Sequence, residues 1–410
     1  PDSIDIAEDR KRFSKLIEDL KIVQTENGTA FSFKEAKEIA VRIGYPVLVR
    51  PSYVLGGRAM RVVYDDAELE TYVKEAAIVS GEHPILIDKF LEDAIEVDVD
   101  AICDGEACVI GGIMEHIEEA GIHSGDSAMV IPAHTLADEI TRKIREDTKR
   151  IALALKVKGL LNIQFAVRHN IVYILEVNPR ASRTVPFISK VIGVPLARLA
   201  TKIMVGKTLK ELGFTEEIKP KYFSVKESVF PFVRFLGVDP ILGPEMKSTG
   251  EVMGIDKTFG LAYAKSQLAA GQKLPLKGTV FISVRNEDKR KVVFIAKKLA
   301  DLGFRIIATK GTAYALSQND LDVEIVPKLY EGRPHVIDRI KNGDVDLVIN
   351  TPAGKATKQD ETQIRSNAIV YNIPLVTTIS GAEATVNGIE ALIKKELQVK
   401  CLQEYHRMLK

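Results

Sequence analysis

The chain has 410 residues, enough for about two or three domains with separate cores. Hydrophobic residues make up 46% and charged residues 28%, as in ordinary globular proteins, and a net charge of +1 disfavours a nucleic-acid or membrane-surface role driven by bulk charge. No apolar run reaches the ~18 residues that span a bilayer, and no signal peptide is recognisable. Three cysteines without metal-ligand spacing (Cys103, Cys108 and Cys401) indicate a reducing, cytoplasmic compartment.

The first half of the chain reads as short helices and strands in mixed order. A charged helix is predicted over 1–20, and because it starts directly at Pro1 we expect a piece of a longer chain. A lid-like α+β unit follows at about 22–92, with helices at 31–43 and 66–79, strands at 46–50, 61–64 and 85–91, and a glycine-containing loop at 52–60. Beyond it we predict strands at 95–103 and 107–117, a loop at 118–132, a helix at 136–156, a hairpin, and a helix at about 187–205.

The hairpin around His169–Asn170 carries the strongest chemical signal. Because side chains at i and i+2 share a strand face, Glu176 and Asn178 must point the same way. An odd-numbered turn, for example of three residues, would place Gln164 opposite Glu176, and would leave an apolar face of Ile163, Phe165, Val167, Tyr173, Leu175 and Val177. Carboxylate and amide oxygens suit Mg²⁺, and Arg180 and Arg183 would supply positive charge for a phosphoryl group. The alternative is the polar face of an ordinary edge hairpin.

The second half changes to a regular alternation of strands and helices. Residues 216–272 are predicted to be an ordered connecting region with one helix at 260–270. Strands follow at 279–284, 305–309, 323–326, 347–350 and 375–378, separated by helices such as 289–302 and 362–371. This alternation predicts a parallel, Rossmann-like sheet, so the fold class is a multidomain α/β and α+β protein. The predicted domains are 1–215, 273–392 and a tail at 393–410.

Other residues in the first half suit a nucleotide. Gly56 and Gly57, near Arg50, would let a loop approach phosphates, although such a pair is often only a turn. The strand ending at Lys89 and Leu91 could present its backbone to an adenine, and Glu96 could accept hydrogen bonds from a ribose; the alternative is a plain core strand. His123 is expected to donate to a phosphate or nucleotide oxygen, whereas ligand spacing gives a zinc site little support.

Several motifs together resemble the ATP-grasp fold, and more narrowly the large subunit of carbamoyl-phosphate synthetases. The likeness runs through nearly the whole chain and rests on Arg50-Pro51-Ser52-Tyr53, Gly56-Gly57-Arg58, Glu96-Val97-Asp98, Gly121-Ile122-His123-Ser124-Gly125-Asp126, Glu176-Val177-Asn178-Pro179-Arg180 and Gly250-Glu251-Val252-Met253-Gly254. The resemblance is to the second of two ATP-grasp halves and implies phosphorylation of carbamate by MgATP. It also implies another subdomain ahead of Pro1, so we expect the chain alone to bind nucleotide but to turn over poorly.

The resemblance also implies a set of site residues. ATP would contact Arg10, Arg50, Gly56, Gly57, Lys89, Leu91, Glu96, Gly121, Ile122, His123, Ser124, Gln164 and Glu176; metal would be held by Gln164, Glu176 and Asn178; and the catalytic set would be Asn178, Arg180 and Arg183. The implied cofactors are ATP and about two Mg²⁺ or Mn²⁺ ions, with K⁺ as a further ion. Lys89 departs from the histidine expected at the adenine side.

The region 277–392 resembles a methylglyoxal-synthase-like regulatory domain. Thr309, Gly311 and Thr312 would form a phosphate site at a helix start, although the threonines alone could be simple helix caps. Lys289, Lys328, Asn350 and Lys355 come from other strand ends, and in an open α/β sheet these ends meet at the ligand crevice. By resemblance, a nucleoside monophosphate such as UMP or IMP would bind there. An activating ornithine would contact Glu118, Asp126, Glu227 and Thr377. The catalytic aspartate of a methylglyoxal synthase is absent from 351–356, which excludes that activity.

Implied partners are the N-terminal half of the large subunit and a small glutaminase subunit in a hetero-oligomer serving pyrimidine and arginine biosynthesis, without nucleic acid or membrane. Two alternatives stay open. The chain could be a nucleotide-binding scaffold for the sensor, inactive without the upstream subdomain. It could also be another ATP-grasp carboxylase or ligase.

Overall fold

The computed structural model describes residues 2–51, 59–80, 84–235, 237–352 and 358–409. The chain forms two compact units. The first unit comprises Pro1–Lys221, Leu242–Met246 and Lys400–Lys410, and the second comprises Tyr222–Ile241 and Lys247–Val399. Among the described residues, no helix has the length and apolar character needed to cross a membrane.

The first unit contains two antiparallel sheets and their helices. Its helices are α1 (Asp2–Glu8), α2 (Arg10–Asp19), α3 (Phe33–Ile43), α4 (Asp66–Ser80), α5 (Asp138–Ala154), α6 (Val185–Ile192) and α7 (Leu196–Met204). Its strands are β1 (Asn27–Ala30), β2 (Val47–Pro51), β3 (Arg61–Val63), β4 (Ile85–Lys89), β5 (Ile95–Asp104), β6 (Cys108–His116), β7 (Met129–Ile131), β8 (Lys158–Arg168) and β9 (Ile171–Asn178). The small sheet has the order β1-β4-β2-β3, and the large one places β7-β6-β5-β8-β9 side by side.

The small sheet and α3 lie within the region predicted to be a lid-like unit, at about 22–92. Helix α3 is capped at its N-terminus by Ser32, whose side chain accepts from the amide of Glu35, while the Glu35 carboxylate accepts from the amide of Phe31. It ends at Gly44, which adopts a φ of 80°. The buried face of the helix, with Ala36 and Ala40, packs in a core of its own with the strands. The predicted loop at 52–60 lies mostly outside the described residues.

The hairpin of β8 and β9 differs from the predicted one at its turn. Arg168 pairs with Ile171, so the turn has two residues, and His169 and Asn170 take the positive φ values of 50° and 62° that such turns need. The predicted odd-numbered turn is therefore wrong. Gln164 nevertheless pairs with Glu176, because a register shift follows Gln164 and leaves Leu175 as an extra residue.

The bulge also changes which residues reach the core. Ile163, Phe165, Val167 and Val177 are buried there as predicted, but Val172 and Ile174 take the places expected for Tyr173 and Leu175. Tyr173 and Leu175 pack instead with Leu91, Ala94 and Ala166. A one-residue shift exchanges the two faces of a strand, so the bulge lets Glu176 face Gln164 while the first half of β9 still buries apolar side chains.

Other differences lie at element boundaries. The helix predicted over 1–20 is two helices, because Asp9 caps α2 by accepting from the amide of Arg12. The helix predicted at 187–205 breaks into α6 and α7 at Gly193 and Pro195, and Gly193 has a φ of 70°. The predicted loop at 118–132 contains the short strand β7.

The second unit holds an antiparallel pair and a parallel sheet. Its elements are β10 (Phe223–Val229), β11 (Gly250–Asp256), α8 (Phe259–Ala269), β12 (Thr279–Ser283), α9 (Lys289–Asp301), β13 (Arg305–Ala308), α10 (Lys310–Ser317), β14 (Val323–Ile325), α11 (Val336–Lys341), β15 (Leu347–Asn350), α12 (Lys358–Val370), β16 (Leu375–Val376) and α13 (Ile379–Lys394), with 3-10 turns at Phe232–Arg234 and Asn286–Asp288. The last helix, α14 (Leu402–Arg407), belongs to the first unit.

The predicted parallel sheet is confirmed. Its strand order is β14-β13-β12-β15-β16, and the neighbouring strands are parallel throughout. Strands β10 and β11 pair antiparallel in the ordered connecting region, where only a helix was predicted. The sequence therefore predicts the sheet better than the connecting region before it.

Candidate functional site

Six polar side chains lie side by side on one face of the large sheet in the first unit. We call them the polar ladder: Asp98 and Asp100 on β5, Asn162 and Gln164 on β8, and Glu176 and Asn178 on β9. The strand register sets Asp98, Gln164 and Glu176 in one row and Asp100, Asn162 and Asn178 in the next. The opposite face is the apolar core, so the ladder follows from strand alternation.

Asp98 organises the first row from a buried position. Its carboxylate accepts from the amide nitrogens of Asn162 (3.0 Å) and Gln164 (3.2 Å) and lies 2.7 Å from His116 Nε2. Burial raises the pKa of Asp98, but the bonds from His116, Asn162 and Gln164 outweigh it, so the pKa is lowered overall. A carboxylate is thus kept ionised there. With the Gln164 nitrogen directed at Asp98, its carbonyl oxygen is the atom suited to a metal.

The second row ends at Asn178, beside the arginines. Asn178 Nδ2 donates to Glu176 Oε1 (2.9 Å), and Arg180 Nη2 donates to Asn178 Oδ1 (2.9 Å). Asp100 accepts from Asn162 at 2.8 Å, and burial raises its pKa to about 6. The predicted grouping of Gln164, Glu176, Asn178 and Arg180 therefore exists as a set of adjoining side chains.

Two arginines lie near Asp88 of the small sheet, and one of them also reaches the polar ladder. Arg10 on α2 forms an ion pair with Asp88 on β4. Arg50 on β2 lies 3.7 Å from Asp88 and 3.7 Å from Glu176. Burial, and then the nearby Arg50, lowers the pKa of Arg10 to about 10. Asp88 was not predicted as a site residue, although its place beside Lys89 at a strand end was a usable signal.

The loop at 121–126 is attached to β5 through Glu96. The amide of Gly121 donates to Glu96 Oε1 at 2.9 Å, and burial raises the pKa of this glutamate despite opposing effects of His116 and Gly121. Gly121 has a φ of 91°, and a Cβ there would come within 2.8 Å of the Phe90 ring. The glycine is therefore needed for this close approach.

His123 lies in the same loop with Ile122 and Ser124, all of them partly exposed. Its Nδ1 accepts from the amide of Gly125 at 2.9 Å, which leaves Nε2 as the nitrogen able to donate to a ligand. Burial lowers the pKa of His123, and Arg183 lowers it further, while Asp126 opposes both. A neutral imidazole is therefore favoured.

Some predicted ligands are placed differently. Lys89 Nζ donates to the carbonyls of Gly44 (2.9 Å) and Tyr45 (3.0 Å), so its ammonium ties down the segment after α3. Leu91 is buried, and Arg183 is exposed. Gly56, Gly57 and Lys355 lie outside the described residues. Within the described ranges, no group of three or more His, Cys, Asp and Glu side chains is arranged to hold a metal, but the predicted set contains two amides.

A second cluster lies at the carboxyl ends of the parallel strands in the second unit. Thr309 precedes α10, and its hydroxyl lies 3.1 Å from that of Ser283. The Thr312 hydroxyl accepts from the amide of Val284 at 3.2 Å, and Lys289 Nζ lies 3.2 Å from where a Gly311 Cβ would be. These ends of β12 and β13 therefore meet as the open-sheet rule predicts.

Asn350 ends β15 in the same cluster and is fully buried. Its Nδ2 donates to the carbonyl of Ser283, and its Oδ1 accepts from Arg365 Nη1, both at 2.9 Å. Lys328 is exposed beyond β14. Lys289, Gly311, Thr309, Thr312 and Asn350 are thus brought together, whereas nothing shows the Lys328 side chain joining them.

The four residues predicted to contact ornithine are divided between the two units. Glu118 and Asp126 belong to the first unit, where Asp126 is buried. Glu227 belongs to the second and accepts from Gln267 Nε2 at 2.6 Å. Thr377 follows β16 and is partly exposed. Their joint role stays a prediction.

Two protein families match parts of this sequence, and solved structures share the fold of part of the chain. Residues 9–212 match the family described as the carbamoyl-phosphate synthase L chain, ATP binding domain, and residues 291–377 match the MGS-like domain. The biotin carboxylase domain of 2-oxoglutarate carboxylase from Hydrogenobacter thermophilus shares the fold, with a TM-score of 0.53 and 18% identity over 65% of each chain. Biotin carboxylase from Campylobacter jejuni has a TM-score of 0.54 and 18% sequence identity, and the match covers 65% of this chain and 66% of that one.

Two relatives are much closer in sequence. The chain is 61% identical to the carbamoyl phosphate synthase large chain of Archaeoglobus fulgidus over 99% of its own length, but spans only 38% of that relative. It is 56% identical to the carbamoyl phosphate synthase large chain, C-terminal section, of Methanocaldococcus jannaschii, covering all of this chain and 68% of that protein. The chain therefore belongs to the carbamoyl phosphate synthase large-chain family and corresponds to its C-terminal part.

Proposed function

We propose that this chain is the second ATP-grasp unit of a carbamoyl phosphate synthase, in which MgATP phosphorylates carbamate to give carbamoyl phosphate and ADP. The polar ladder is the observation that carries the proposal. It joins Gln164, Glu176 and Asn178 in adjacent positions and continues into Arg180. Oxygen ligands next to guanidinium groups are what a metal-bound polyphosphate requires.

The residues present fit a nucleotide and a divalent cation. The Nε of Arg50 is buried without a hydrogen bond within the described residues, and its nearest carboxylate, Asp88, is 3.7 Å away. A buried donor of this kind normally has a partner, and a phosphate oxygen would supply one. Glu176, with Gln164 and Asn178, would hold Mg²⁺ or Mn²⁺, which when bound would neutralise phosphate charge.

The chain's own residues would then bind and orient the reactants. Arg10, Arg50 and His123 would hold the nucleotide, with Glu96 fixing the 121–126 loop through Gly121. Arg180 and Arg183 would balance charge on the transferred group and on carbamate. Carbamate oxygen is already anionic, so no general base is needed, and the lid-like unit would exclude water from a labile acid.

The second unit would sense a nucleoside monophosphate such as UMP or IMP. Its phosphate would meet Thr309, Gly311, Thr312 and Lys289 at the start of α10, where backbone amides favour anions. Pro352 stands where the family resemblance leads us to expect a threonine, and this residue would adjust ligand preference. Ornithine would act as activator, as the family resemblance implies.

The remaining assignments rest on the family. The N-terminal half of the large chain and a glutaminase subunit would supply carbamate in the cytoplasm, for pyrimidine and arginine biosynthesis. Because the chain spans less than half of its full-length relatives, we expect turnover to require those parts, while nucleotide binding requires only this chain.

The test is ATP formation from MgADP and carbamoyl phosphate by the chain combined with the rest of the large chain. Glu176→Gln removes a metal charge and should lower the rate at least ~10²-fold. Glu217→Gln, which alters a partly buried glutamate paired with Arg145 instead, is the matched control and should stay near normal. Normal turnover in Glu176→Gln, or no ATP formation by the unaltered protein, would contradict the proposal.

A further inference from the structure

Asp100 is a polar-ladder residue outside the predicted ligand set, and its carboxylate accepts hydrogen bonds from three side chains. The carboxylate is 1% exposed. It accepts from Ser182 Oγ at 2.8 and 2.7 Å and from Thr184 Oγ1 at 2.6 Å, besides Asn162. We propose that Asp100 is a positioning residue that fixes the arginine loop, residues 179–184, and so sets where Arg180 and Arg183 act. This inference rests on the proposed function.

The arginine loop is also attached at its start, where Arg180 donates to Asn178 at the end of β9. Arg180 and Arg183 are both exposed, and between them Ser182 is the residue tied to the sheet. Thr184 precedes α6 and reaches the same carboxylate as Ser182, so one buried anion fixes both sides of Arg183. Hydrogen bonds to an ionised acceptor are roughly twice as strong as neutral ones, which suits a single anchor.

Packing behind Asp100 keeps the anchor itself in place. A Cβ on Gly111 would come within 3.1 Å of the Asp100 carbonyl and 2.9 Å of Leu196. A Cβ on Gly112 would come within 3.3 Å of Ile188 on α6. Strand β6 therefore lets α6 and α7 approach closely, and the start of α6 comes within reach of Asp100.

Trypsin provides a test that does not depend on activity, because it cleaves after Arg180 and Arg183. In the unaltered chain, cleavage after Arg180 and Arg183 should be slow compared with cleavage after the exposed Lys207. Asp100→Ala, or Ser182→Ala with Thr184→Val, should raise the ratio of the loop cleavage rate to the Lys207 cleavage rate at least ~10-fold, the effect of about one hydrogen bond to a charged group. Thr184→Ser keeps the hydroxyl and should resemble the unaltered chain. An unchanged ratio in the double variant overturns the proposal even if Asp100→Ala fails to fold.

Kinetics on the reconstituted large chain separate positioning from general damage. A displaced arginine loop should raise the KM for carbamoyl phosphate by ~10-fold or more and leave the KM for MgADP unchanged. Partial unfolding would lower kcat alone, with both KM values normal, and would contradict a positioning role. If the unaltered protein forms no ATP, the proposed function fails, while the trypsin result still decides whether Asp100 anchors the loop.

A partly buried ion pair in the second unit, between Arg365 and Asp239, bears on regulation. Arg365 is fully buried and donates to both carboxylate oxygens of Asp239, at 2.8 and 2.7 Å, as well as to Asn350. Asn350 belongs to the proposed effector cluster. Three residues after Asp239 the chain enters the first unit at Leu242, and there the carbonyl of Gly243 accepts from the amide of His123 at 2.8 Å. We infer that Arg365 and Asp239 link effector binding to the nucleotide loop through segment 239–243.

Coupling measured by binding tests this link. The affinity for MgADP is measured with and without UMP, and the ratio is the coupling factor. Asp239→Asn should reduce that factor to near one while UMP still binds. Asp256→Asn, which alters another ion pair of the same unit, with Lys265, is the matched control. Unchanged coupling in Asp239→Asn overturns the link, whereas no UMP binding by the unaltered chain would instead refute the effector site.

Discussion

The two candidate sites use their sheets in different ways. In the first unit, the polar ladder crosses the middle of β5 and β8 and the end of β9, and its members lie side by side across antiparallel strands in register. In the second unit, Thr309 and Asn350 stand where parallel strands end, next to a helix start and a loop. The first arrangement depends on correct strand pairing. The second depends on strand order, which brings several strand ends to one edge.

This difference predicts unequal tolerance to change. A one-residue slip in a strand turns every side chain to the other face, so the polar ladder is exposed to register errors. In a cluster at strand ends, by contrast, one substitution removes only the contacts of that residue.

Deleting Leu175 should have the largest effect. Without the bulge residue, either Glu176 and Asn178 turn toward the core or Val172 and Ile174 leave it, and both outcomes are strongly destabilising. We expect loss of MgADP binding and a large drop in the thermal unfolding temperature of the first unit. Leu175→Ala keeps the register and should bind MgADP nearly normally. A stable deletion variant with normal MgADP affinity would contradict the bulge's role.

Arg50→Gln should weaken MgADP binding by roughly 10- to 100-fold, because it removes a partly buried guanidinium whose buried Nε makes no hydrogen bond to the described residues. The matched control is Arg61→Gln, on the neighbouring strand of the same sheet, where the arginine pairs with Glu75 at 3.0 Å. Equal MgADP affinities for the two variants, measured by calorimetry, would remove Arg50 from the nucleotide site.

Thr309→Ala should weaken UMP binding about tenfold and leave MgADP affinity unchanged, since it removes one hydroxyl at the start of α10. Thr385→Ala removes a buried hydroxyl that contacts Tyr263 in the same unit and serves as the control. An unaltered UMP titration for Thr309→Ala would contradict the effector assignment.

A smaller effect is expected from acid. Burial opposes ionisation of Asp239, but Arg365 outweighs it and holds the pKa of this carboxyl below its usual range. A lowered folded-state pKa stabilises the protein above the ordinary aspartate pKa of ~3.9, and that stabilisation is lost as the pH falls through the folded-state value. Denaturant unfolding at pH 7 and below pH 4 should show that the free energy of unfolding falls less on acidification in Asp239→Asn than in the unaltered chain. An equal fall in the two proteins would contradict a stabilising role of the Asp239 carboxylate.

The sequence predicted the face shared by Glu176 and Asn178 but not the bulge that sets their partner. Residues 171–175 are all apolar, so either alternate set could face the core, and the choice is made by pairing with β8. The Gly193 and Pro195 pair was a readable helix break. Asp98 and Asp100 alternate with valines on β5, a signal that was available and was missed.

Contacts distant in sequence could not be predicted in this way. Asp100 and Ser182 are 82 residues apart, and Asp239 and Arg365 are 126 apart. No local pattern encodes such pairs, because they result from how the chain packs once its elements have formed. The resemblance to a known family proposes the ligand residues, whereas the structure shows which side chains contact them.

The most direct test of the central claim is the affinity for ADP measured with and without Mg²⁺, for the unaltered chain and for Glu176→Gln. If the polar ladder holds a metal-bound nucleotide, Mg²⁺ should strengthen ADP binding in the unaltered chain, and Glu176→Gln should abolish most of that gain while ADP alone still binds. The same Mg²⁺ gain in both proteins would contradict the account and place the metal elsewhere.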